Sequence, residues 1–278
     1  MYELLRKIIL NVRGNIEFVE LKEPRCKVYL PDYTIWLLLR EIYLIEVYGN
    51  FQGLDGTIID AGAHCGAFSI PASYYANEVI SIEPNPMNLK ILEFNKIVNS
   101  RKNVKIFPYA LYHKKGQFKL KLNGSLTSSI NDKEGIDIFT ITLDEILENY
   151  KRISLLKMDI EGAEFDVLLN TKPENLKKIN KIVGELHYED IRLRDKLKDY
   201  LESVGFYFQE IEKSTIYNLN LKSILKVLKN SRKVKNQLYN KITNYLYLFL
   251  LVRKPLISLT KKSKRKLKDN FFLAINLI

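Results

Sequence analysis

Four short blocks of this sequence place acids, glycines or a histidine at the ends of apolar runs. Thr57-Ile58-Ile59-Asp60-Ala61-Gly62-Ala63-His64-Cys65-Gly66 joins a β-branched run to an acid and a glycine, with a second glycine four residues on. Val79-Ile80-Ser81-Ile82 ends in Glu83, at about the 20-residue spacing of one βαβ unit. Leu155-Leu156-Lys157-Met158 runs into Asp159-Ile160-Glu161-Gly162-Ala163-Glu164, and a later run ends in Gly184-Glu185-Leu186-His187. A strand, a tight turn and a helix start form the place where an open α/β sheet holds a nucleotide-like ligand. There Glu83 can accept both hydroxyl protons of a ribose. Asp60 would lie near a cationic end of the ligand, and the backbone at Gly62 and Gly66 would leave it room.

A dinucleotide turn requires a glycine two residues after Gly62, but His64 stands there. A phosphate loop requires Lys followed by Ser or Thr after its last glycine, and Gly66 is followed by Ala67-Phe68. An adenosine ligand without phosphate fits better, and S-adenosylmethionine (SAM) is the common one. A hydroxyl that takes a methyl group benefits from a base to receive its proton. His187, Asp159 and Glu185 are the candidates, because they follow strands whose carboxyl ends face the ligand. His187 is one of three histidines and titrates near neutrality; a hydrogen-bonded histidine at a strand end is the plainer role. Asp159 can instead cap the following helix, and Asn85 can either touch the cofactor or cap a helix beginning at Pro86. Of Glu161 and Glu164, one is expected to face the site and the other to form the first helical turn. Asp159, Glu161 and Glu185 could also bind a divalent metal through oxygen.

Asp60-Ala61-Gly62-Ala63, Ile82-Glu83-Pro84-Asn85-Pro86, the Leu155 to Glu164 block and Gly184-Glu185-Leu186-His187 together resemble the FkbM-type methyltransferase family, across residues 50 to 210. The resemblance implies a class I, SAM-dependent methyltransferase acting on hydroxyls of sugars, glycolipids or polyketide-like molecules. It does not imply a metal, and none is expected. His64-Cys65 departs from the small polar and hydrophobic pair frequent in the family, which leaves the role of His64 open. The alternatives are an RNA or protein methyltransferase, or a non-catalytic protein of the same fold.

The elements that must position these residues alternate. Strands are expected at 57–61, 78–82, 103–108, 154–158 and 181–186, with helices at 66–76, 86–99 and 189–203 between them. Short strands at 117–122 and 139–143 and one at 206–211 complete the list. The fold class is therefore α/β, a Rossmann-like, mainly parallel sheet with an antiparallel last strand, assigned to Tyr245-Leu246-Tyr247-Leu248-Phe249-Leu250-Leu251-Val252. Residues 1–50, two helices around a strand-like stretch, read as an N-terminal cap. Residues 51–254 read as the methyltransferase domain with a basic helical insertion at 213–241, and 255–278 as a basic tail.

The chain's 278 residues suffice for one large domain with extensions. Cys26 and Cys65 supply neither a disulfide framework nor a zinc set. No signal peptide is read at the start, and a cytoplasmic protein is expected. From Lys213 onward there are sixteen Lys and Arg and one acid, Asp269, against 28 basic and 31 acidic residues before it. Such asymmetry suits peripheral contact with an anionic membrane, a solvated charged face or, less well, nucleic acid, because aromatics are not interleaved with the lysines.

Overall fold

The computed structural model describes residues 16–22, 24–31, 41–42, 47–49, 51–122, 128–131, 134–188, 190–212 and 268–277. A hairpin of β1 (Ile16–Lys22) and β2 (Arg25–Pro31) comes first. β3 (Thr57–Ala61), α1 (Ser69–Ala72), β4 (Glu78–Ile82), α2 (Pro86–Val98) and β5 (Val104–Phe107) follow in alternation. β6 (Ala110–Leu111), β7 (Gly116–Leu122), β8 (Ser128–Asn131) and β9 (Ile136–Ile141) form a separate sheet of order β6-β9-β7-β8. Next come α3 (Leu143–Leu147), β10 (Leu155–Met158), α4 (Glu164–Asn170), α5 (Pro173–Leu176), β11 (Lys181–Tyr188) and α6 (Ile191–Val204). β12 (Phe206–Glu212) and β13 (Lys268–Asn276) end the list.

The main sheet has the order β12-β13-β11-β10-β3-β4-β5. β11, β10, β3, β4 and β5 are mutually parallel, and β13 runs antiparallel to both β11 and β12. This is the class I methyltransferase sheet. Its inner strands are mostly apolar because both faces are covered, with Asp60, Ser81, Lys157 and Glu185 as buried exceptions. Ile59, Ile80, Leu156 and Ile182 pack on one side with residues of α3, α4 and α6. Their neighbours Ile58, Val79, Leu155 and Val183 pack on the other with α1, α2 and the hairpin.

The hairpin is fastened to α2 by two side-chain amides one helical turn apart. Asn95 accepts from Tyr29 N at 2.7 Å and donates to Tyr29 O at 2.7 Å. Asn99 does the same with Lys27 N and O, at 3.1 and 2.7 Å. These amides stand where the backbone of a neighbouring strand would stand. Asn95 also donates to Cys65 O, so the hairpin is tied through α2 to the turn after β3.

Three expectations change. The antiparallel strand is Lys268–Asn276, not 245–252, so these residues belong to the sheet and not to a tail beginning at 255. Phe272 and Ala274 point into the core, which an appended tail would not supply. The 245–252 run, the insertion at 213–241, the first helix expected near the N-terminus and most of the second lie outside the described residues. The helix expected at 66–76 contracts to α1, because Pro71 has no N–H to donate; single turns continue it to Ala76. Among the described residues no helix is long and apolar enough to cross a membrane.

Candidate active site

β3 delivers the first part of the site. Gly62 N and Ala63 N both donate to Ile82 O at 3.0 Å, which wraps the turn over the end of β4. Gly62 has φ +75°, and a Cβ there would stand 1.8 Å from Asp159 O, so only glycine lets the ends of β3 and β10 meet. Gly66 closes the turn, its N–H donating to Ala63 O at 2.8 Å. His64 holds φ +52°, an unusual conformation for a non-glycine residue. Its Nε2 is buried with no hydrogen-bond partner among the described residues. Burial, then the Lys157 charge, pull its pKa down to about 4.

Glu83 sits at the tip of β4, where the ribose assignment requires it. Its Oε2 accepts from His64 N at 2.9 Å; its Oε1 accepts from Asn85 N at 2.9 Å and Asn88 Nδ2 at 3.2 Å. Burial raises its pKa, and these hydrogen bonds and Lys157 oppose the rise. The carboxylate thus shapes the turn as well as offering its remaining lone pair. Asn85 takes the second of its two expected roles: its side chain accepts from Met87 N at 2.9 Å and caps α2, with Pro86 next in the helix.

Asp60 is corrected. Its side chain is wholly buried, bound to Lys157 Nζ at 3.1 Å and Ser69 Oγ at 2.5 Å, and presents nothing to a ligand. A buried carboxylate needs such a partner. Lys157 in turn donates to Gly62 O at 2.9 Å, linking β10 to the turn. Burial pulls the Lys157 pKa down, but Asp60, Asp159 and Glu185 outweigh it and the net shift is upward. Tyr48 completes this floor. Its hydroxyl donates to Asp159 Oδ2 at 2.9 Å, and its ring lies 5.1 Å from Lys157 Nζ.

After Asp159 the chain makes a strained turn, with Glu161 at φ +59° and Gly162 at φ +109°. Backbone strain of this kind collects at functional sites. Glu164 holds the turn from inside: its Oε1 accepts from Ile160 N at 3.0 Å and Gly162 N at 3.2 Å. The same oxygen lies 3.1 Å from His187 Nδ1. Glu161 therefore faces outward and Glu164 inward, the division expected. Glu185 and His187, two apart in β11, share one face of the sheet. His187 Nε2 lies 3.7 Å from Glu161 Oε2 and 3.6 Å from Glu185 Oε2. Burial alone would lower the His187 pKa; the Glu164 hydrogen bond and charge, with Asp159 and Glu161, carry it up to about 10. With no cation beside it the ring is held in its charged form, which favours a carboxylate over it as the candidate base; a cation bound at Nε2 would take the place of that proton.

Beside this cluster a groove of about 620 Å³ opens between α4 and α6, bordered by Glu161 and His187. Phe165, Leu169, Tyr188 and Leu193 give it apolar walls; Asp166, Asn170 and Asp190 give it polar ones. Asp159, Glu185 and His187 are thus brought together, with the Glu83 turn at the neighbouring strand ends. Tyr48 was missed: no spacing links it to Asp159, 111 residues away. Lys157 was visible only as a charge inside an apolar strand, a signal that a buried acid must lie beside it.

The family described as methyltransferase FkbM domain matches residues 60–208. The methyltransferase sdnD of Sordaria araneosa is 26% identical over 189 residues, covering 54% of this chain and 73% of that protein. Methyltransferase 1 of Beauveria bassiana is 25% identical over 178 residues, covering 53% and 71%. The crystal structure of methyltransferase FkbM from Methylobacillus flagellatus is 17% identical, covers 66% of this chain and 52% of that one, and has a TM-score of 0.41. With more than half of its residues matched, this chain belongs to the FkbM methyltransferase family.

Proposed function

We propose that this methyltransferase takes its methyl group from SAM and places it on a hydroxyl of a glycan, glycolipid or related small molecule. The observation that carries the reading is the groove of about 620 Å³ ending at Glu161 and His187. Its volume falls in the range of small-molecule sites. Apolar walls interrupted by carboxylates, an amide and the Lys196 ammonium suit a molecule whose ring faces are apolar and whose rim is hydroxylated. The excess of acids around Asp159 favours a donor that carries a sulfonium cation. In the transfer, an acceptor oxygen lone pair forms the O–C bond as the C–S bond breaks. That bonding pair stays on sulfur, giving S-adenosylhomocysteine, and the hydroxyl proton passes to Glu161 or Glu185. Alignment of donor and acceptor supplies most of the acceleration.

The test is transfer from methyl-labelled SAM to separate pools of hydroxylated small molecules, glycolipids, RNA and protein. Label in the first two pools supports the reading; label confined to RNA or protein refutes it. Thermal shifts with SAM and NAD give a second arm, since a ligand at 100 times its Kd adds about 2.7 kcal/mol. The basic stretch from Lys213, with sixteen Lys and Arg to one acid, supports peripheral contact with an anionic membrane on the cytoplasmic side. Phe272 and Ala274, near the end of that stretch, take no part in such contact because they are committed to the sheet.

A further inference from the structure

We infer that Asp159, Glu161 and His187 form a binding site for one divalent cation at the mouth of the acceptor groove. One donor atom from each of the three lies within 4.8 Å of the others. His187 is prepared for the role. Its side chain is 8% exposed, and its Nδ1 is fixed by Glu164, itself wholly buried. A carboxylate behind a histidine in this way orients the opposite nitrogen of metal-bound imidazoles. That nitrogen, Nε2, makes no hydrogen bond among the described residues. It points between Glu161 Oε2 at 3.7 Å and Glu185 Oε2 at 3.6 Å, both too long for a good hydrogen bond. Atoms bonded to one cation at about 2.0–2.2 Å stand roughly 3–4 Å apart; the Glu161–His187 pair at 3.7 Å meets that spacing, and Asp159 lies within 4.8 Å of both.

The turn explains how Glu161 reaches the site. Glu161 and Gly162 both have positive φ, and Glu164 spends its carboxylate holding that conformation. The result is to bring the Glu161 side chain, 32% exposed, over His187. Two carboxylates and one imidazole select a hard to borderline ion, Mg²⁺ or Mn²⁺, over a soft one. The groove offers open positions for water or for acceptor oxygens. A cation there would lower the pKa of a coordinated hydroxyl. Glu185, outside the three ligands, then remains to receive the proton. The binding claim stands without the methyl-transfer reading; only this last role rests on it.

The experiment uses the full chain, stripped with a chelator and then titrated with Mn²⁺ alone. Free Mn²⁺ is followed by electron paramagnetic resonance, and the bound ion by its coupling to nitrogen. One equivalent is expected to bind with a dissociation constant below 1 mM and with an imidazole nitrogen signature. Glu161→Gln should weaken binding at least tenfold, and His187→Asn should remove the nitrogen signature. Glu93→Gln, on the exposed face of α2, should change nothing. Because Glu161 is partly exposed, its variant should keep the wild-type circular dichroism. The site is refuted if wild type binds less than half an equivalent at 1 mM Mn²⁺. It is equally refuted if Glu161→Gln and His187→Asn bind as wild type does. SAM affinity, measured on the stripped protein by calorimetry, is the separate readout for the methyl-transfer reading. SAM binding without Mn²⁺ binding would sink only the cation site.

Discussion

Replacing Lys157 by methionine is the most informative single perturbation of this fold. Lys157 Nζ neutralises Asp60 at 3.1 Å, and the two side chains are 5% and 0% exposed. Methionine fills much the same volume but leaves the Asp60 carboxylate buried with only the Ser69 hydroxyl. Removing one partner of such a pair costs about 3–5 kcal/mol, because the remaining charge cannot regain water. The Gly62 O acceptor is orphaned in the same step. Asp60→Asn should cost less. It keeps a polar atom toward Ser69, and Lys157 still has Asp159 and Glu185 within electrostatic reach. The double variant should be less damaged than the sum of the two, with a coupling of about 0.5–3 kcal/mol. Urea and thermal unfolding followed by circular dichroism provide the assay. Lys157→Met should lower the melting temperature by roughly 6–20 °C, at 2–4 °C per kcal/mol for a chain of this class. A loss under about 1 kcal/mol, or Asp60→Asn proving the worse variant, would show that the pair is not what holds β3 to β10.

Glu83→Gln should weaken SAM binding by about 1.5–3 kcal/mol, or 10- to 150-fold, in calorimetry; unchanged affinity would remove Glu83 from the ribose. His64→Asn should protect the protein from acid. Unfolded His64 takes a proton near pH 6.5 and folded His64 only near 4, so the unfolded state binds more protons between them. Stability is therefore intact above pH 6.5 and falls on acidification, by at most about 2 kcal/mol at pH 5. Asparagine tolerates the positive φ, so the variant should gain on wild type at pH 5 relative to pH 7.5 in urea melts, and equal differences at both would refute the burial argument. Removing residues 268–278 should abolish cooperative unfolding, whereas a sharp melt near the wild-type temperature would mean that β13 is not needed by the sheet.

The parallel strands were legible because a strand covered on both faces must be largely apolar. Ile58 and Ile59, or Leu155 and Leu156, could not sit otherwise. The candidate site was legible because β3, β4, β10 and β11, though not β5, each carry an acid or a histidine at or next to their carboxyl ends. Less legible was what the acids do. Asp60 and Glu83 both stand near the carboxyl ends of their strands, but Asp60 lies inside β3 opposite Ser81 and is spent on Lys157, whereas Glu83 lies just past β4 and is spent on the turn. That difference comes from Lys157, a neighbour in space contributed by a strand almost a hundred residues later. His187 takes the plainer of its two expected roles, a hydrogen-bonded histidine at a strand end, and the carboxylates around it come partly from another strand end. The last strand was misplaced because two apolar runs competed for one slot. The longer, more β-like run at 245–252 looked the better strand, and pairing with β11 and β12 is not a local property.

The position of β13 also has a consequence for how the chain folds. β11 and β12 each pair with β13 and not with each other, so a strand-wide opening between them must be filled by the last strand in sequence. Until it arrives, both carry a row of unpaired backbone N–H and C=O groups facing the opening. Such rows are templates for pairing with another chain. The contacts that close them are long-range, and long-range strand pairing is slow. Refolding should therefore depend on protein concentration, with aggregation competing against insertion of Phe272 and Ala274. A peptide carrying Lys268–Asn276, present in excess, would compete for the same opening and report how long it stays unfilled.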